Sequence, residues 1–309
     1  MARNDHTGMK LVAWLIGMLM LLQGAKEVIS LFGSLRYLMA HGYHIPHAEL
    51  VLDLLRFVLC IAGIIAGIGL VRLAPWARRM AVWVTLGSVG FFLVSPYLSN
   101  LACESMGPGL FFEPMPWYVG LKYFMVLRSL LAFVYLVSWP MRKEFGEGER
   151  PTILTEIAER VYRVFPAAIP PVAVYLAIYF FCLAGDDFLP RILRHTNWYT
   201  LHNPMGWSMV VSVLLYAIIG ALLLVKYSWG RPAGIVFMGI SAISLLAGNI
   251  YSIILLASPH QSKTIFDVVF FIIFIALPAS AGPLAILWAL LQSAPPAQPP
   301  TESPVVATS

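Results

Sequence analysis

Eight long apolar runs separated by short polar stretches dominate the chain. They are Leu11–Phe32, Val51–Val71, Met80–Leu98, Trp117–Trp139, Ala167–Leu183, Trp207–Val225, Ala233–Leu256 and Phe266–Leu291. A hydrocarbon core of about 30 Å needs roughly 20 apolar residues per helix, so each run predicts a membrane-spanning helix. Inside lipid the backbone must satisfy its own polar groups, and a helix does so within one segment. The expected fold class is therefore all-α, a polytopic bundle of about eight helices. Lys10 followed by Leu11–Leu22 also looks like the start of a signal peptide. Gln23-Gly24-Ala25 is a poor cleavage site, because the third residue before a cut should be small, so an uncleaved first helix is expected.

Composition agrees. Of 309 residues, 60% are hydrophobic and 11% charged, against about 25% charged in a soluble domain. The net charge of +5 does not point to nucleic acid, because the basic residues lie in short loops between apolar runs. They instead set an orientation. With the N-terminus cytoplasmic, Arg3, Lys10, Arg72, Arg78, Arg79, Arg142, Lys143, Arg150, Arg160, Arg163, Lys226 and Arg231 face inward, and Arg36, Arg191, Arg194 and Lys263 outward. This bias follows the positive-inside rule and places both termini in the cytoplasm.

The chain also resembles itself. Gly67–Arg78 joins the second and third runs, and Gly220–Arg231 joins the sixth and seventh. Aligned without gaps, Gly67 meets Gly220, Leu70 meets Leu223, Trp76 meets Trp229, and Arg78 meets Arg231; Ser88 and Ser241 follow at the same offset. Trp139 and Trp288 are expected to close the fourth and eighth helices. Two parallel four-helix repeats, 1–140 and 166–292, are expected, related by an axis along the membrane normal. The hairpin Gly69-Leu70-x-x-x-x-Pro75-Trp76-Ala77-Arg78 resembles those of many small, uncharacterised bacterial membrane proteins built of four helices. That resemblance covers about a dozen residues. It implies a bacterial inner-membrane setting and no activity.

Between the halves, residues 141–165 begin with a polar, flexible-looking Lys143–Arg150. Ile153, Leu154, Ile157, Val161, Val164 and Phe165 then recur at helical spacing. This predicts an amphipathic helix lying on the cytoplasmic surface. From Ser293 to 309 the chain is rich in Pro, Ser and Thr and is expected to be disordered. The linker and the tail are the places where a protein partner would attach.

Charges within a bilayer are costly and mark functional candidates. Lys26, Glu27, Asp53, Arg56, Lys122 and Arg128 all fall in the first half. Asp53 and Arg56 are three apart and can pair along a helix. Arg128 lies mid-helix and needs an internal partner, with Glu27 and Asp53 the first choices. Together the six predict an outward-facing polar cavity for a small polar or anionic ligand; the competing reading is a set of neutralised pairs that lock the bundle. In the second half Asp186 and Asp187 are expected to cap the fifth helix, and Asn249 is the main polar residue of the seventh. His41, His44 and His47 form a candidate metal site in the first outer loop, although Pro46 interrupts any helix that would align them. Cys60, Cys103 and Cys182 form neither a CxxC pair nor a disulfide framework. Gly63 and Gly67 read as a helix-packing motif. No nucleophile–base pair, aspartyl-protease motif or nucleotide-binding loop is present, and no cofactor is expected. The leading expectation is a transporter-like or ligand-binding inner-membrane protein whose other partner is the lipid bilayer. The alternatives are a membrane scaffold or assembly factor, and a membrane enzyme using outer-face His and acidic residues.

Overall fold

The computed structural model describes residues 2–40, 47–104, 116–147, 153, 155–157, 160, 169–194, 204–256, 269, 272 and 276–293. Among them the regular structure is helical: α1 Ala2–Ala40, α2 His47–Val71, α3 Pro75–Glu104, α4 Pro116–Val137, α5 Trp139–Glu144, α6 Pro171–Arg194, α7 Pro204–Val225, α8 Tyr227–Leu256 and α9 Leu277–Gln292. The all-α bundle is as expected. Four segments, Gly8–Gly33, Leu50–Val71, Pro75–Ser95 and Tyr227–Ile254, are long and apolar enough to cross a membrane. Shorter apolar stretches run Tyr123–Val137, Pro171–Gly185, Val211–Val225 and Ser280–Gln292.

The long helices close into a ring. α1 packs on α2, α2 on α3, α3 on α4, and α4 on α6; α6 then packs on α7, α7 on α8, α8 on α9, and α9 back on α1. The core lies where the halves meet, around Leu15, Ile16, Leu136, Tyr175, Phe180 and Leu290. The outward faces carry rows of exposed apolar side chains, such as Leu54, Val58, Ile61, Ile65 and Ile68 on α2 and Val236, Ile240, Ile243, Ile250 and Ile254 on α8. A soluble monomer rarely exposes contiguous apolar patches of this extent.

Where helices approach most closely, glycine allows it. A Cβ on Gly67 would lie 2.6 Å from the Gly17 carbonyl oxygen, and one on Gly17 2.8 Å from that of Gly67. In the second half Gly220 packs on α6, its Cβ position 3.0 Å from the Ala177 oxygen. Gly63 is not part of this seam. It lies near Val84 of α3.

One end of the bundle collects Lys10, the α2–α3 hairpin, α5 and the start of α6. Lys10 is 3.7 Å from Glu144, Arg78 pairs with Glu147, and the Tyr135 hydroxyl donates to Pro171 O. Here the chain corrects several expectations. Arg78, counted in sequence among the basic residues of the loops, is only 8% exposed, whereas Trp76 is 51% exposed and Trp229 64%. The reason lies in Pro140. The Leu136 carbonyl has no helical partner, because the residue four further on is proline and has no N–H. Arg78 Nη1 donates to that carbonyl at 2.8 Å. In the second half Arg231 donates to Leu290 O at 2.9 Å and to Leu291 O at 3.0 Å, carbonyls that a helix end leaves open.

The stretch from Lys143, flexible-looking in sequence, is tied down at Glu147. Its side chain is 10% exposed and also meets Arg79 Nε at 3.2 Å and Arg142 Nε at 3.7 Å. Trp139 starts α5 after a break at the extended Ser138 instead of closing α4, because Pro140 has no N–H to continue the α4 ladder and is tolerated in the first turn of a new helix. α6 starts at Pro171, later than Ala167, since proline suits a first helical position. It runs through Asp186 and Asp187 to Arg194 rather than ending there.

In the linker, residues 153, 155–157 and 160 are helical, and Ile153 and Ile157 are exposed. Leu154, Val161, Val164 and Phe165 lie outside the described residues. Ser293, first residue of the expected tail, is buried and accepts a 2.6 Å hydrogen bond from the Tyr227 hydroxyl. Tyr227→Phe should lower the melting temperature in detergent by a few degrees, since a net hydrogen bond contributes about 1 kcal/mol; an unchanged melting curve would show that the contact adds nothing.

Candidate functional site

A cavity of about 120 Å³ opens among α1, α2, α3, α4 and α6. Met20, Cys60 and Thr85 line it, and each lies at the centre of its apolar span, Gly8–Gly33, Leu50–Val71 and Pro75–Ser95. The cavity is therefore at mid-span. Glu27, Arg56 and Arg128 also line it, with Gln23, Ser88, Ser129, Phe91, Phe92, Tyr175 and Tyr179.

The seam between α1 and α2 positions the ion pair. Gly24 sits against the Cys60 carbonyl, where its Cβ would be 2.9 Å from the oxygen. Glu27 is about one turn beyond Gly24, and Arg56 one turn before Cys60 on the antiparallel helix. Their side chains consequently meet, and Arg56 Nη2 donates to Glu27 Oε2. Both groups are partly accessible. Arg128 comes from α4, with its guanidinium carbon 5.9 Å from the centre of the Tyr179 ring, within cation–π range. The Tyr179 ring stacks on Tyr175 at 6.2 Å. The Thr85 hydroxyl is turned back onto its own helix, at 2.9 Å from both Ala81 O and Val82 O.

Three of the six charges expected to share a cavity thus do so. Lys26 is exposed. Asp53 is half-buried and does not line the cavity. The side chain of Lys122 lies outside those described. The local Asp53–Arg56 pairing gives way to a tertiary one with Glu27. The tyrosines contributed by α6 were missed in sequence because they come from the other half. Their spacing of four, Tyr175 and Tyr179, is the signal that places them on one helix face.

His41 and His44 lie outside the described residues, and so does the side chain of His47, the first residue of α2. Among the described residues no group of three or more His, Cys, Asp and Glu is placed to hold a metal ion. In the second half Asn249 Nδ2 donates to Ser280 Oγ at 2.9 Å and to Ala276 O at 3.1 Å.

This geometry brings the guanidiniums of Arg56 and Arg128 and the Glu27 carboxylate to one chamber whose remaining lining is mostly apolar. No family model, curated protein or solved structure matches the chain.

Proposed function

We propose that the protein is a multi-pass membrane protein that binds a small anion in the mid-span cavity of its first half, in the manner of a transporter. The carrying observation is the convergence of Arg56 and Arg128 on one cavity at the centre of three apolar spans. Charge at that depth is costly unless it is paired or used.

The relation between the halves supports the reading that these charges serve a ligand. Gly67 on Gly17 has its counterpart in Gly220 on Ala177, and Arg78 on Leu136 O in Arg231 on Leu290 O. The Tyr135–Tyr175 ring contact, at 5.4 Å, has its counterpart in Trp288–Trp14 at 4.2 Å. Tyr135 and Trp288 stand at the same sequence offset as Gly67 and Gly220, so Trp288 is the counterpart of Tyr135 rather than of Trp139. We read two four-helix repeats in parallel orientation. At that offset Arg56 corresponds to Met209, and Arg128 to Ala281. A half that does without these arginines argues against their being required to hold the bundle.

The basic residues Lys10, Arg72, Arg79, Lys143 and Lys226 gather at the end that holds both hairpins. This supports a cytoplasmic position for that end and for both termini, in a bacterial inner membrane.

The purified protein in detergent should melt at a higher temperature in at least one of sodium acetate, phosphate or benzoate, by comparison with matched ionic strength. A ligand at about 100 times its Kd stabilises by roughly 2.7 kcal/mol, several degrees for a chain of this size. Arg128→Gln should keep the fold and lose the shift. A native protein indifferent to all three salts would remove the anion-binding reading and favour a scaffold.

A further inference from the structure

We infer that an anion enters this cavity together with a proton, and that Glu27 takes the proton up; the inference rests on the anion-binding reading above.

The pair of Glu27 and Arg56 carries it. Both side chains line the cavity, and Arg56 Nη2 donates to Glu27 Oε2. Glu27 is thus a resident anion on the guanidinium that an incoming anion needs. Arg128 is itself engaged, over the Tyr179 ring and in further contacts, so the balance of charge falls on Arg56. Before an anion arrives, the charges of Glu27 and Arg56 cancel. An anion added to them leaves one net negative charge at a depth where charge is costly. Two anions sharing one site favour protonation of one of them. A proton on Glu27 restores neutrality and frees the guanidinium, and the new carboxyl O–H can donate to the anion. The exchange balances. One anion and one proton from water enter, an O–H bond forms on Glu27, and the Arg56–Glu27 ion pair is replaced by one between Arg56 and the anion.

Neighbouring groups leave this role to Glu27. Facing it across the cavity are Arg56 and Cys60 of α2, Arg128 of α4, and Tyr175 and Tyr179 of α6. An arginine stays charged, and a thiol or phenol ordinarily stays neutral, at and below neutral pH. Of the other carboxylates and lysines, Asp53 does not line the cavity, Lys26 is exposed, and Lys10 and Glu144 pair at the far end of the bundle. The α9 helix, also packed on α1, carries no charged residue.

Position gives the proton a route. Glu27 lies about two turns, roughly 10 Å, beyond mid-span Met20, on the side away from Lys10 and the hairpins. Arg56 lies about one turn from Cys60 on the same side, because α2 is antiparallel and runs on from there into its hairpin. Both side chains are partly accessible. The pair therefore stands between the centre of the cavity and the face opposite the basic end, from which water can deliver both the anion and the proton.

The test is calorimetric titration of the native full-length protein in detergent with nitrate, acetate, phosphate and benzoate near neutral pH. Two buffers of different ionisation enthalpy count the protons taken up. Nitrate gains no proton itself, so its binding should take up close to one proton per anion. Its affinity should weaken roughly tenfold for each unit that the pH is raised. Glu27→Gln, which keeps the shape of the protonated acid, should bind nitrate at least tenfold more tightly near neutral pH and take up no proton. The proton count on the native protein needs no variant, so it decides the matter even if Glu27→Gln fails to fold. Nitrate binding without proton uptake, or uptake that persists in Glu27→Gln, overturns the role of Glu27 and leaves the anion site standing. No binding of any of the four anions by either protein overturns both this inference and the reading beneath it.

Discussion

Gly67→Val is expected to break the seam between α1 and α2 and to produce a large loss of stability. The Cβ position at Gly67 is 2.6 Å from Gly17 O, 3.0 Å from Leu21 N and 3.2 Å from Leu21 Cβ. Two of these atoms are backbone, so no side-chain rotation relieves the clash and the helices must separate. Overpacking of this kind costs about 1–3 kcal/mol and more where the backbone is the obstacle. In lipid the loss is felt directly, since helix association there depends on close packing and not on exclusion of water. Separation also pulls Glu27 from Arg56, so the anion binding proposed for the cavity should fall with stability. The graded series makes the point specific. Gly67→Ala should destabilise more than Gly220→Ala, whose Cβ meets a carbonyl at 3.0 Å and the Phe181 ring, a side chain that can rotate, at 3.4 Å. Gly90→Ala, with nothing within 4 Å, should be neutral or slightly stabilising. Thermal unfolding in detergent reads all of them, and a Gly67→Val protein as stable as the native one would show that the seam is not close-packed.

The second large effect is expected from Glu147→Ala. Glu147 neutralises Arg78, which is buried under the α2–α3 hairpin, and it also meets Arg79 and Arg142. Removing one partner of a buried ion pair leaves an uncompensated charge and costs about 3–5 kcal/mol, on the order of 10 °C in melting temperature for a chain of this length. Glu147→Gln, which keeps an acceptor for the guanidinium, should lose less. The same contact predicts a dependence on acid. Burial by itself pushes the Glu147 carboxyl up, but the hydrogen bond and charge of Arg78, joined by Arg79, outweigh it and hold the group below its ordinary value of 4.5. A lowered carboxyl contributes stability that is complete above the unfolded value and is lost as pH falls through the folded one. The native melting temperature should therefore hold down to about pH 4.5 and decline below it, and Glu147→Gln should flatten part of that decline. An identical acid profile in the two proteins would show that Glu147 is not the group responsible.

Much of the site was within reach of the sequence, though not through the features first used. Asp53 and Arg56, three apart, invite a local pair. The tertiary fold prefers Glu27 because α1 and α2 lock through small residues one heptad apart, Gly17 and Gly24 against Gly67 and Cys60. Glu27 and Arg56 extend those two rows in the same direction, so the heptad of small residues is the clue that would have paired them. For Glu147 there was no comparable clue. Gly-Glu-Gly-Glu reads as a solvated turn, and its burial follows from a carbonyl orphaned by Pro140 that brings Arg78 inward.

The sequence by itself determined the helices, because runs of about 20 apolar residues admit few other structures in lipid. It also determined the basic bias at one end and the likeness of the two hairpins. Which charges share a cavity, which arginine is buried and which half of the chain lends its tyrosines were decided only by the tertiary structure. The reason is rotational. A uniformly apolar helix says little about which face turns inward, and here the glycine contacts and the orphaned carbonyls of α4 and α9 set that rotation.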